Sequence, residues 1–157
     1  LSGALTQAAK NHEGTLTLLC GDFNENPDAV WGSEGRQTAL VDISHPESSQ
    51  FIQSGSLAVT GDQEKVGPSR WYTPYLDAQY EFLSPSGSCC WTGQWLRYDL
   101  ILSNGYLFDG LGWEYDAFSI CALPSLLNSD GTPNAWDLGI KNGVSDHLPV
   151  LLTLTRR

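Results

Sequence analysis

The chain has 157 residues, 41% apolar and 11% aromatic, enough for one domain with its own core. Eight Lys and Arg face 18 Asp and Glu, a formal net charge of −10; with no basic stripe, tight electrostatic capture of nucleic acid is not indicated. No apolar run approaches the roughly 20 residues needed to cross a bilayer, so no membrane span is expected.

Residues 1–11 place Leu1, Ala4, Leu5, Ala8 and Ala9 at helical spacing, with Asn11 and Gly14 as stop signals. Residues 15–20 read as a buried strand. A short helical turn is expected over 27–31, a strand over 39–43 and a short helix over 46–53. Residues 61–88 are rich in Gly, Pro, Ser, Asp and aromatics and read as a long irregular surface region. Trp71, Tyr72, Tyr75 and Tyr80 lie in it, either as a binding loop or as packing over a sheet edge. Strands are predicted over 89–92 and 98–103, with a hairpin or bend at Gly93. Residues 106–113 read as a strand or part of a turn, 134–141 as loop and 150–155 as the last strand. The pattern is mixed α/β with few long helices and no internal repeat.

The chain opens on Leu1-Ser2-Gly3 and contains no Met, which suggests a processed product or a piece of a longer protein. A secreted or periplasmic location is slightly favoured over a cytoplasmic one. Cys20, Cys89, Cys90 and Cys121 form no CxxC and no Cys/His zinc pattern. Cys20 reads as a small buried residue, and free thiols are expected. A bridge from Cys121 to Cys89 or Cys90 is the alternative.

Two polar stretches sit at the ends of apolar runs. Gly21-Asp22-Phe23-Asn24 follows the first strand, and Ser145-Asp146-His147-Leu148-Pro149 precedes the last. If both ends converge, Asp, Asn, Asp and His share one pocket, a set suited to a divalent metal ion and a phosphate ester. Asp22 can take a proton from water and Asn24 can orient that water; the competing reading is an Asx turn. An EF-hand is excluded, because Pro27 and Ser33 stand where Gly and Glu are required. Asp146 and His147 are adjacent, so their side chains diverge, one toward a metal and one toward a phosphate. Asp99 lies in Arg97-Tyr98-Asp99-Leu100-Ile101-Leu102-Ser103, a strongly apolar strand, and needs a partner if buried. That partner is His147, or else Arg97 or backbone amides. His12 and His45 have no supporting pattern and read as surface residues.

Taken in order, Gly21-Asp22-Phe23-Asn24-Glu25-Asn26-Pro27, Trp95-Leu96-Arg97-Tyr98-Asp99-Leu100-Ile101-Leu102-Ser103 and Ser145-Asp146-His147-Leu148-Pro149-Val150 resemble the C-terminal half of the endonuclease/exonuclease/phosphatase (DNase I-like) superfamily. Gly87-Ser88-Cys89-Cys90-Trp91-Thr92-Gly93-Gln94-Trp95 resembles a segment of its bacterial members. The resemblance implies an α/β fold over residues 1–157: half of a four-layer α/β/β/α sandwich with a mixed, mainly antiparallel sheet. It implies hydrolysis of a phosphoester by in-line attack of water, with Mg2+ or Mn2+. Asp22 would activate the water, Asn24 would position it or a phosphate oxygen, and Asp146 would belong to the metal site. His147 would contact the scissile phosphate, and Asp99 would orient His147. Substrate contacts are expected from Trp71, Tyr72 and Trp95, and the substrate would be a nucleic acid, phospholipid or inositol phosphate.

The chain departs from the family in two ways. Tyr98 stands where an aliphatic residue is commoner. The family's N-terminal half, with its metal-ligating Glu, has no counterpart here, so that half is an expected partner, including as a separate chain. The rival readings are a binding-only member of the same fold and a β-rich module that binds carbohydrate or calcium.

Overall fold

The strand Asp99–Ser103 carries an unbroken apolar run, Leu100-Ile101-Leu102, as a strand covered on both faces requires. In the computed structural model, which describes residues 7, 11, 14–27, 59–67, 70–81 and 83–157, this strand is the centre of the core. Leu100 and Leu102 are 0% exposed and Ile101 is 7% exposed. The strands among the described residues are β1 (Leu18–Asp22), β2 (Val59–Thr60), β3 (Trp71–Tyr72), β4 (Cys89–Trp91), β5 (Gln94–Leu96), β6 (Asp99–Ser103), β7 (Trp113–Ile120) and β8 (Val150–Arg156).

Four of them form a mixed sheet in the order β1-β6-β3-β2. β6 is antiparallel to β1 and β3, and β2 runs parallel to β3. β4 and β5 form a hairpin closed by Thr92 and Gly93, both at positive φ, the geometry of a tight two-residue turn. β7 and β8 form an antiparallel ribbon. Its Tyr115, Phe118, Ile120, Val150 and Leu152 pack on a core that includes Val59, Trp71, Tyr75 and the β6 leucines. Tyr75 and Phe118 meet edge to face at 4.9 Å.

The regular structure among the described residues is thus mostly strand, with almost no helix. Of the helix predicted over 1–11, Gln7 and Asn11 are described; both are helical, and Gln7 Nε2 donates to Asn11 Oδ1. The elements predicted over 39–43 and 46–53, and the 27–31 turn beyond Pro27, lie outside the described residues. Among the described residues no helix is long and apolar enough to cross a membrane.

Several predictions are corrected. The first strand runs Leu18–Asp22 rather than 15–20. Upstream of it, Asn104 replaces the next sheet rung: its side chain donates to the Thr15 carbonyl and accepts from the Thr17 N–H. Cys20 is exposed rather than buried, because of the two only Leu19 packs against the core. The region 61–88 is irregular and partly exposed, but residues 71–75 within it are buried. Trp71, Tyr72, Thr73 and Tyr75 are at most 1% exposed, because β3 pairs with β6 and carries them inward. Residues 105–107 form a 3₁₀ turn, and β7 begins only at Trp113. β7 has no clear sequence pattern because a bulge between Tyr115 and Ala117 shifts its register. The inward side therefore changes from odd to even positions, and no single alternation spans the strand.

Candidate active site

The site forms where β1, β4, β6 and the chain before β8 come together. β1 and β6 place Asp22 directly opposite Asp99. Directly opposed residues on antiparallel strands share a face, and like charges there repel. A hydrogen-bond donor beside Asp99 offsets that repulsion, and one is in reach: Asp99 Oδ2 lies 2.6 Å from His147 Nδ1. Both side chains are about one-fifth exposed, at 21% and 22%. An ionised carboxylate only accepts, so Nδ1 carries the shared hydrogen and Nε2 is left for another partner.

His147 is brought there by a stiff approach. Asp137 and Asn142 exchange backbone hydrogen bonds, and Asp137 Oδ1 accepts from the N–H groups of Gly139 and Ile140. Gly143 has φ +108, and a Cβ on it would lie 2.1 Å from the Ala135 carbonyl oxygen, so only glycine fits. Val144 and Ser145 then both donate to the Asn134 carbonyl, and the Ser145 hydroxyl accepts from the His147 N–H.

β4 closes the other side. Cys89 forms an isolated antiparallel bridge with His147. The Ser88 carbonyl accepts from the Leu148 N–H at 2.7 Å, and the Ser88 hydroxyl accepts from the Asp99 N–H at 3.2 Å. Burial pushes the Cys89 thiol up, and the charges of Asp146, Asp99 and Asp22 add to that, with Cys90 between them in effect. Three carboxylates therefore act on one point. Among the described residues, however, no three His, Cys, Asp or Glu side chains form a group able to hold a metal ion.

The predicted residues divide as follows. Asp99 and His147 are in contact, and Asp22 stands opposite Asp99. Asp146 is exposed, and its charge is felt at Cys89. Asn24 is exposed at φ +53, with its N–H donated to Asp22 Oδ1, so the Asx turn is present. Trp71 and Tyr72 are corrected as substrate contacts: at 0% and 1% exposure they present no ring face to a ligand. Trp95 is half-buried in β5, opposite Cys90. All four cysteines are free.

Two residues of the site have no role predicted from the sequence. Asn26 Oδ1 accepts from the Arg97 N–H at 2.6 Å and ties the loop after β1 to the approach into β6. Ser88 links β6 to the His147 segment. Its signal in the sequence is the neighbouring Gly87, where a Cβ would meet the Leu96 carbonyl oxygen at 2.4 Å. No protein family, curated protein or solved structure matches the chain.

Proposed function

We propose that the chain is the C-terminal half of a metal-dependent phosphoesterase of the DNase I-like type, hydrolysing a phosphodiester by in-line attack of water. The observation that carries this reading is the 2.6 Å contact between Asp99 and His147, residues 48 positions apart. This reading takes the mixed sheet, with one parallel and two antiparallel pairings, as the sheet of that half.

In this mechanism Asp99 holds His147 through Nδ1, so Nε2 is aimed at a non-bridging phosphate oxygen and stabilises the charge that develops there. Asp22 takes the proton of the attacking water as its oxygen bonds to phosphorus and the bond to the leaving oxygen breaks. Asn24, held by its turn with Asp22, orients that water or a phosphate oxygen. Asp146 and Asp22 are exposed carboxylates, the hard oxygen donors that Mg2+ or Mn2+ takes in ones and twos while water and substrate complete the shell. In this reading Asp146 would hold such an ion, which would supply positive charge to phosphate oxygens.

The test is hydrolysis of bis(p-nitrophenyl) phosphate and of plasmid DNA, with and without Mg2+, by protein purified with whatever polypeptide accompanies it. Activity that needs the metal and is lost in His147→Ala supports the reading; metal-independent activity, or activity unchanged in His147→Ala, would falsify it. A binding-only role is the second reading, favoured by the absence of a three-donor metal group among the described residues. It predicts phosphoester or Mg2+ binding by calorimetry without turnover.

A further inference from the structure

Ser88 is 0% exposed and sits between the two halves of the Asp99–His147 pair. Its hydroxyl accepts from the backbone N–H of Asp99, and its carbonyl accepts from the backbone N–H of Leu148, the residue after His147. A serine hydroxyl that accepts one hydrogen bond still has its own proton to donate. A buried phenol that feels this hydroxyl is that of Tyr75. Tyr75 is 1% exposed, and its Oη is a buried oxygen with no hydrogen-bond partner of full geometry. Burial pushes this phenol well above the ordinary tyrosine range, and Tyr80 and Asp99 push the same way, while Ser88 and then Arg97 oppose them. Tyr75, Ser88 and Asp99 are therefore electrostatic neighbours.

The geometry points to Ser88, backed by Tyr75, as the positioning residue of the site: one buried hydroxyl and one carbonyl set the separation of Asp99 and His147. The inference rests on the hydrolase reading only for its effect on turnover. Its physical content is that β6 and the segment before β8 lie in different substructures and meet through Ser88. If the hydroxyl is lost, Asp99 keeps its place in the β1–β6 ladder, but its backbone loses the bond that holds it toward β4.

The experiment reads His147 directly. At one fixed pH, NMR follows the His147 Nδ1–H proton and both imidazole nitrogens in the native protein and in Ser88→Ala, Ser88→Thr and Tyr75→Phe, with kcat and KM for phosphodiester hydrolysis measured alongside. In Ser88→Ala the His147 Nδ1–H proton resonance moves upfield, because a loosened Asp99 Oδ2 holds that hydrogen less closely. kcat falls by about tenfold or more, as is typical for groups that orient a functional side chain, with KM unchanged. Ser88→Thr restores both readouts, and Tyr75→Phe gives a smaller shift in the same direction. Should Ser88→Ala not fold, Ser88→Cys keeps the volume with a much weaker acceptor and makes the same measurement. A folded Ser88→Ala or Ser88→Cys whose His147 Nδ1–H resonance is unmoved overturns the proposal. If the native protein hydrolyses no phosphoester but His147 still shifts in Ser88→Ala, the positioning role stands and the hydrolase reading falls.

Discussion

β6 and the β7–β8 ribbon are both apolar in sequence, yet they are buried in different ways. β6 is covered on both faces: Leu100, Ile101, Leu102 and Ser103 are all at most 7% exposed. The ribbon is covered on one. Along β8, Val150, Leu152 and Leu154 are half-buried while Leu151, Thr153 and Thr155 are exposed. On that open face β7 contributes Ala117 and Ser119, so Leu151, at 47% exposure, is a large apolar group among small and polar ones. The proposed site draws one residue from each environment. Asp99 stands at the start of the rigid strand, and His147 stands just before the ribbon's second strand. Their contact is therefore a measure of how firmly the ribbon side is held to the sheet.

The largest effect is expected at the junction itself. His147→Ala should lower phosphodiester hydrolysis by about 10²–10⁴-fold, the usual range for a positioned proton-transfer or charge-stabilising group. Circular dichroism should be unchanged, because the side chain is not part of the core. Next comes the contrast between the two regions. Leu102→Ala should cost about 2–5 kcal/mol in urea unfolding, since it empties a fully buried site. Leu151→Ala on the ribbon's open face should stay within about 0.5–1 kcal/mol. Equal losses would erase the distinction between strand and ribbon. Between them lies Gly87→Ala, at about 1–3 kcal/mol, because the new methyl meets the Leu96 backbone, which cannot rotate away as a side chain can.

A smaller, graded effect is expected with pH. Burial is the main cause that raises the Cys89 thiol and the Tyr72 and Tyr75 phenols above their ordinary values. These groups are neutral when protonated, so the native state holds their protons more tightly than the unfolded chain does. The stability they contribute is fully present below the ordinary thiol and phenol values and is lost as pH rises past them. Unfolding free energy should therefore decline from about pH 8.5 upward, first through the thiol and then near pH 10 through the phenols. Cys89→Ala should remove the earliest part of the decline in a denaturant series run at stepped pH. A flat profile to pH 11 would show that these groups are not buried as described.

Some of the chemistry is legible in the residues alone. An acid at the head of Leu100-Ile101-Leu102 needs a partner, and a histidine before an apolar run supplies one; burial cost suggests Asp99 with His147, with Arg97 or backbone amides as the alternative. Asp22 and Asn24 are equally visible, and the Asx turn that competes with a functional role is present. The aromatic region departs from its surface-loop pattern for a definite reason. Gly, Pro and Ser around Trp71 and Tyr72 mark irregular backbone, but irregular backbone can still be driven inward by a two-residue strand that pairs with the central one. Periodicity cannot register so short a strand.

The chain by itself determined its strongest local features: the apolar run of β6, the tight turn at Thr92-Gly93 and the polar ends of β1 and β8. These follow from side-chain burial and backbone sterics that act within a few residues. Tertiary structure alone decided what lies far apart in sequence. It put Asp22 opposite Asp99, carried Trp71 and Tyr72 into the core, shifted β7 through its bulge and made Ser88 the link between Asp99 and His147. Each of these depends on which strand lies beside which, and on buried polar groups that must be satisfied by whatever partner the packing brings within reach.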